Sequence, residues 1–188
     1  QVLELKIQDI ILPASAESLD ETSDHVFFRA AQFIDDLLEK FYGLKRFYNL
    51  KDTSDLAGHL VVGLAPHISA GVVGRIIGFS KTQVILAHPY FHSVVRRDCD
   101  GDEMAVMLLL DTFLNFSRRY LPDHRGATQD TPLVLSSRII PKEVDDMVFD
   151  LDVGWMYPLE LYEAALQFKK PWDVSVPQLK QRIGTEKQ

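Results

Sequence analysis

One octet concentrates the chemistry available to this chain: Arg96-Arg97-Asp98-Cys99-Asp100-Gly101-Asp102-Glu103. Three carboxylates stand at alternate positions, and Gly101 permits a tight backbone turn between the last two. In an extended strand, alternate side chains share a face, so the three would repel one another. A partly enclosed site tolerates such a cluster only when a cation neutralises it. Carboxylate oxygens are the donors magnesium prefers, with its other positions left to water and phosphate oxygens. Arg96 and Arg97 can offset surplus negative charge or touch a phosphate.

Three other readings compete for the octet. A solvated acidic turn is the plainest, since Asp and Gly are ordinary turn residues; the strongly apolar segments on both sides weigh against it. A calcium loop of the EF-hand type needs glycine sixth and a bidentate acid twelfth. Here Gly101 is fourth from Asp98 and the twelfth residue is Leu109, so that reading fails. A phosphatase that attacks through aspartate would use Asp98 as nucleophile and Asp100 as acid/base. Asp102 then stands where a phosphate-binding Thr belongs, and Arg96-Arg97 interrupts the preceding strand.

Around the octet, hydropathy patterning outlines the elements that must hold it. Alternation over residues 2–12 predicts a strand, and 14–24 reads as a surface loop. Phe27, Ala30, Ala31, Ile34, Leu37, Leu38 and Phe41 fall at helical spacing over 26–42, with Gly43 as the stop. A helical turn is expected at 52–56 and a buried strand at 60–64. Ser69 is placed to cap a helix over 70–77 that Gly78 ends. Strands are expected at 83–87, 91–95 and 133–139, and helical turns or helices at 111–120, 141–146 and 158–168. The run 103–110 fits either a strand or the start of a helix. The fold class is therefore α+β in one unit over 1–188, with its centre at 60–140 and helical additions at 26–43 and 158–168.

Composition narrows the function class. The chain has 188 residues, 46% hydrophobic and 25% charged, with a net charge of −7. That balance is poor for a free-standing nucleic-acid binder, which needs clustered cations. The acidity lies in the flanks: residues 1–66 carry a net −5 and 126–188 a net −3, whereas 67–125 carry +1 and four of the six histidines. A mixed centre of Arg, His and Asp suits a place where metal and phosphate meet. A single cysteine, Cys99, excludes an internal disulfide, and no apolar run is long enough to span a bilayer. A cytoplasmic protein without a membrane partner is expected. Gln1 is no initiator and the strand pattern is already under way there, so a piece of a longer chain is expected.

Further candidates are less specific. Arg75 and Lys81 can contact phosphate, although exposed cations are more often solvated. His88 and His92 flank Pro89-Tyr90-Phe91; with no third metal ligand nearby, a supporting role beside the loop is the reading.

The chain resembles a known family on both sides of the loop. Leu64-Ala-Pro-His67, Ala87-His-Pro-Tyr-Phe-His92 and Asp98-Cys-Asp-Gly-Asp-Glu-Met-Ala-Val106 are similar to the catalytic double-psi barrel of multi-subunit RNA polymerases. The resemblance is closer to the large subunit of the archaeal family-D DNA polymerases, which share that barrel. It runs through Leu5-Lys-Ile-Gln-Asp-Ile10, Phe33-Ile-Asp-Asp-Leu37, Lys40-Phe-Tyr-Gly-Leu44, Gly63-Leu-Ala-Pro-His-Ile-Ser-Ala-Gly71, Arg75-Ile-Ile-Gly-Phe79, Leu109-Leu-Asp-Thr-Phe-Leu-Asn-Phe-Ser117, Pro141-Lys-Glu-Val-Asp-Asp146 and Tyr157-Pro-Leu-Glu-Leu161. The resemblance implies a double-psi β-barrel with peripheral helices. It implies a DNA-directed DNA polymerase that uses magnesium, or manganese, held by Asp100 and Asp102. The family usually has Asn where this chain has Asp98, so the place of Asp98 in the metal shell stays open. Implied partners are a DNA primer–template, a deoxynucleoside triphosphate, the second barrel with its lysines, and a small exonuclease subunit. No second barrel is visible in the sequence, and one cysteine cannot build the family's zinc modules. The chain alone is therefore expected to be inactive. An RNA polymerase fragment, the aspartate phosphatase and a non-catalytic assembly barrel remain alternatives at this point.

Overall fold

A computed structural model describes residues 5–64, 70–95, 101–110, 115, 119, 134–144 and 149–186. The chain separates into two compact units, residues 1–144 and 145–188.

Among the described residues, the first unit is built on a six-stranded mixed sheet. Its strands are β1 (Asp9–Pro13), β2 (Leu60–Leu64), β3 (Ala70–Ser80), β4 (Leu86–Ala87), β5 (Ala105–Leu108) and β6 (Val134–Ser136). The order is β4-β1-β3-β2-β5, and β6 also pairs with β3. The helix expected over 70–77 is overturned: this segment is the long central strand. Its β-branched residues (Val72, Val73, Ile76, Ile77) and glycines (Gly71, Gly74, Gly78) are poor helix formers. Both of its edges are paired, with β2 antiparallel on one side and β1 and β6 parallel on the other. Val72, Val73, Gly74 and Ile76 are consecutively or nearly consecutively buried, the mark of a strand covered on both faces.

Because β6 pairs with residues 70–72 and β1 with 75–80, the two lie in tandem along one edge of β3. Gln8 closes the join between them. Its side-chain amide donates to the Val73 carbonyl at 2.6 Å and the Ser137 carbonyl at 3.2 Å, and accepts from the Ile139 amide at 3.4 Å. Backbone groups that no strand reaches are thereby paired, as burial demands.

Helix α1 (Ser23–Asp36) continues as a π-helical turn over Leu37–Phe41, and Gly43 follows at φ +64°. Phe27 and Ala31, four apart, are buried and belong to the same core as Ile10, Leu12, Val61 and Ile76. The turn expected at 52–56 is a 3-10 helix, Thr53–Leu56, with Asp52 and Asp55 forming a reciprocal capping box. The segment 91–95, expected as a strand, is instead part of a second helix, α2 (Pro89–Val95). His88 caps it: its Nδ1 accepts from the Tyr90 amide at 3.1 Å and its carbonyl from the Phe91 amide at 2.8 Å. Pro89 then occupies the first helical position, where its missing N–H costs nothing. The helix expected at 111–120 lies mostly outside the described residues; Asn115 and Arg119 within it are helical.

Asp35 anchors the loop after α1. It is 2% exposed, and its carboxylate accepts from the amides of Phe47, Tyr48 and Asn49 at 2.7–2.8 Å. Burial pushes its pKa up, but the three amides and the charge of Arg46 outweigh that and hold it below the usual carboxylate value. Since the folded pKa is the lower one, this stabilisation is present above the unfolded value of about 3.9 and is lost as pH falls through the folded value. Asp35→Asn puts an N–H donor where one of those acceptors stood. It is expected to destabilise the first unit by about 1–3 kcal/mol at neutral pH. Urea unfolding of both forms should show the difference shrinking as the pH drops below about 4.

The second unit contains helix α3 (Leu159–Leu166), a 3-10 turn at Pro171–Asp173 and a bridge between Asp152 and Gln178. Lys180 pairs with Asp150 at 2.7 Å, and Arg182 donates to the Val153 carbonyl at 3.2 Å. No helix among the described residues is long and apolar enough to cross a membrane.

Candidate functional site

Arg96, Arg97, Asp98, Cys99 and Asp100 lie outside the described residues; Gly101, Asp102 and Glu103 are described and exposed. Strand register shows where the segments flanking the octet come together. Leu64 at the end of β2 stands opposite both Ala105, the first residue of β5, and Gly71 near the start of β3. Ala70 in turn stands opposite Val134, the first residue of β6. Four strand ends therefore meet at one end of the sheet. From that end the chain leaves into the Ala65-Pro66 element, and into it the chain returns from the acidic octet.

The two flanks of the octet also share a floor. Phe91 on α2 precedes the octet, is fully buried, and packs over the glycines of β2 and β3. A Cβ on Gly63 would lie 3.3 Å from its ring, and one on Gly74 3.2 Å from it. Met104 follows the octet, and its sulfur would lie 3.1 Å from the same Cβ on Gly63. Gly63 is thus the point on which residues from both flanks of the octet pack, and a methyl group there would make Met104 or Phe91 give way by a few tenths of an ångström. Gly101 has φ +107°, a conformation in which any L side chain is strained; nothing crowds it, so its requirement is conformational.

The remaining candidates separate spatially. Arg75, midway along β3, donates from Nε and one terminal nitrogen to Asp9 at 2.9 and 2.6 Å. Asp9 is nearly buried there, so this guanidinium has a structural partner. Lys81 is exposed just beyond the far end of β3 from Ala70. Neither is brought to the strand ends that flank the octet. His88 caps α2, and His92, on the same helix, is half-buried with its pKa lowered by burial, which favours the neutral ring. Among the described residues, no three His, Cys, Asp or Glu side chains group closely enough to hold a metal ion. The donors on either side of Gly101 are carboxylates, the hard oxygen ligands that magnesium takes, so the residue types fit that ion.

Sequence reading missed that Phe91 and Met104, from the two flanks of the octet, pack together on Gly63. Two signals point to them: glycines within β-branched strands, which mark close approach of another element, and His-Pro before an apolar run, which marks a helix start.

Comparison with known proteins then decides the family. The family described as DNA polymerase II large subunit DP2, catalytic domain, matches residues 1–188. The chain belongs to that family. It is 54% identical over 186 residues to the DNA polymerase II large subunit of Pyrococcus furiosus, covering 98% of this chain and 14% of that protein. It is 54% identical to that of Archaeoglobus fulgidus, covering 99% of this chain and 16% of that protein. To that of Methanococcus vannielii it is 50% identical, covering all of this chain and 16% of the other. The chain thus spans about one-sixth of the length of these relatives.

Proposed function

We propose that residues 1–188 form the metal-binding double-psi barrel of an archaeal DNA-directed DNA polymerase, centred on 60–140. In this reading Asp100 and Asp102 are the magnesium ligands, and the full subunit transfers nucleotides to a primer 3′-hydroxyl during DNA replication. The observation that carries it is the convergence of four strand ends where the octet is anchored, in a chain that matches the DP2 catalytic domain throughout. Strand β3 flanked by parallel β1 and β6 and antiparallel β2 is a framework from which such a barrel can close. A bound magnesium ion supplies charge that lowers the cost of ionising the primer hydroxyl and stabilises the departing pyrophosphate. The chain's part is to hold two carboxylates on either side of the Gly101 turn. Phe91, before the octet, and Met104, directly after it, both pack on Gly63, and Arg96 and Arg97 balance the charge or meet a phosphate. Template, deoxynucleoside triphosphate, the second barrel and a small exonuclease subunit are the proposed partners, and the cytoplasm the proposed compartment.

Calorimetric titration with magnesium or manganese tests the site. The wild-type chain is expected to bind, and the Asp100→Asn, Asp102→Asn double variant to lose that binding; equal binding by both removes the assignment. The affinity is expected to be low, because substrate phosphates complete such sites. Without the second barrel, the isolated chain is expected to give no primer extension above background. Templated extension that disappears with Asp100→Asn would contradict this.

A further inference from the structure

Two strands lie in tandem along one edge of β3, and neither reaches the residues between them. β6 pairs with residues 70–72 and β1 with 75–80, so Val73 and Gly74 fall in the gap. Gln8, the residue before β1, fills it. Its amide nitrogen donates to the Val73 carbonyl at 2.6 Å and the Ser137 carbonyl at 3.2 Å, and its oxygen accepts from the Ile139 amide at 3.4 Å. Its own carbonyl accepts from the Arg75 amide at 2.8 Å. Gln8 is thus fixed to β3 by its backbone and grips the chain behind β6 with its side chain. Few side chains can do this: Glu has no donor when ionised, Lys has no acceptor, and Asn is a methylene shorter.

What Gln8 grips is a weakly held strand at a critical place. Among the described residues, β6 has three residues paired to β3 and no other partner, whereas β1 has five and also pairs with β4. A strand held by so little opens locally before the sheet does. Yet β6 helps to build the end of the sheet that flanks the octet, with Val134 opposite Ala70. Its Leu135 packs over Gly71 beside Val62 and Leu64: a Cβ on Gly71 would lie 3.5 Å from Leu135, 2.7 Å from Val62 and 3.3 Å from Leu64. Leu64 in turn stands opposite Ala105, by which the chain comes back from the octet. A displaced β6 is therefore felt, through close-packed side chains, at the strand ends on which the octet is carried. We propose that Gln8 is a positioning residue for the polymerase reaction, seating β6 on β3 and thereby setting those strand ends. The inference rests on the polymerase reading and uses groups of the first unit alone.

The test uses Gln8→Met and Gln8→Glu in the full-length large subunit. The first keeps the length and removes both donors; the second keeps the acceptor and sets a carboxylate against two carbonyls. Hydrogen exchange, read by mass spectrometry, is expected to speed up about tenfold or more over 134–139 in both variants while α1 keeps its wild-type rates. Single-turnover primer extension at saturating magnesium is expected to fall about tenfold or more, with the half-saturating nucleotide concentration moving by less than about twofold. Gln8→Glu should be at least as impaired as Gln8→Met. Extension within about twofold of wild type despite faster β6 exchange would make Gln8 a structural residue only. Unchanged β6 exchange, equal acceleration in α1 and β6, or a loss confined to nucleotide half-saturation would each overturn the proposal as well. Those outcomes sink this inference alone. A wild-type subunit that extends no primer, or an Asp102→Asn variant that extends like wild type, sinks the polymerase reading and this inference with it.

Discussion

Asp102→Asn in the full-length large subunit is expected to lower the rate of primer extension about a thousandfold or more, roughly 4 kcal/mol of transition-state stabilisation. Asp100→Asn is expected to match it, whereas Asp98→Asn should cost at most a few-fold, on the order of 1 kcal/mol. The contrast follows from ligand number. Magnesium sites that bind substrate phosphates take one or two carboxylates from the protein. In the proposed site, Asp100 and Asp102, on either side of Gly101 in the sequence, supply two. A third full charge needs compensation, which Arg96 and Arg97 are placed in sequence to give; Asn at 98 removes the charge and keeps the shape and one acceptor. Single-turnover extension rates at saturating magnesium check all three variants together. A thousandfold loss with Asp98→Asn would put that carboxylate in the metal shell.

The second large effect concerns the floor of the loop rather than its charges. Phe91→Ala is expected to destabilise the first unit by about 3–5 kcal/mol, because it empties a fully buried site between α2 and the central strands. Each 1.4 kcal/mol is a factor of ten in an opening equilibrium. Hydrogen exchange at the β2, β3 and β5 amides of the full-length subunit should therefore speed up by about a hundredfold or more. Gly63→Ala works by the opposite route. Its new methyl would press on the Phe91 ring and the Met104 sulfur, at an overpacking cost of about 1–3 kcal/mol. Because those contacts lie on the two sides of the octet, primer extension should fall more than the stability loss alone accounts for; displacements well under an ångström matter to metal ligands. Adding Met104→Ala to Gly63→Ala should restore part of the rate, since a thioether yields space that the strands cannot. Unchanged extension by Gly63→Ala would detach this floor from the site.

The proposed site rests on residue types alone. Carboxylates bracketing a glycine have few uses, and blocks of resemblance in a fixed order led to the family that the full-length match then showed. Helix α1 was legible for a different reason. Its apolar spacing is a local, repeated signal that burial of Phe27 and Ala31 follows directly. The 3-10 turn capped by Asp52 and the Gly43 stop were local in the same sense.

Tertiary structure decided what local signals left degenerate. Residues 70–80 carry an apolar run that fits a helix or a buried strand equally by periodicity. Pairing with β1, β2 and β6, from segments as distant as Asp9 and Val134, made it the central strand. Residues 91–95 went the other way: the cap from His88 and the packing of Phe91 over Gly63 and Gly74 accompany a helix, Pro89–Val95, where a strand was expected. Asp35 looked like one more surface acid, yet it is buried by three amides that approach it only once the following loop folds back. Local spacing determined which residues carry charge and which turn the chain. Long-range pairing and close packing, which no short window of sequence contains, decided which glycine the two flanks of the octet pack against.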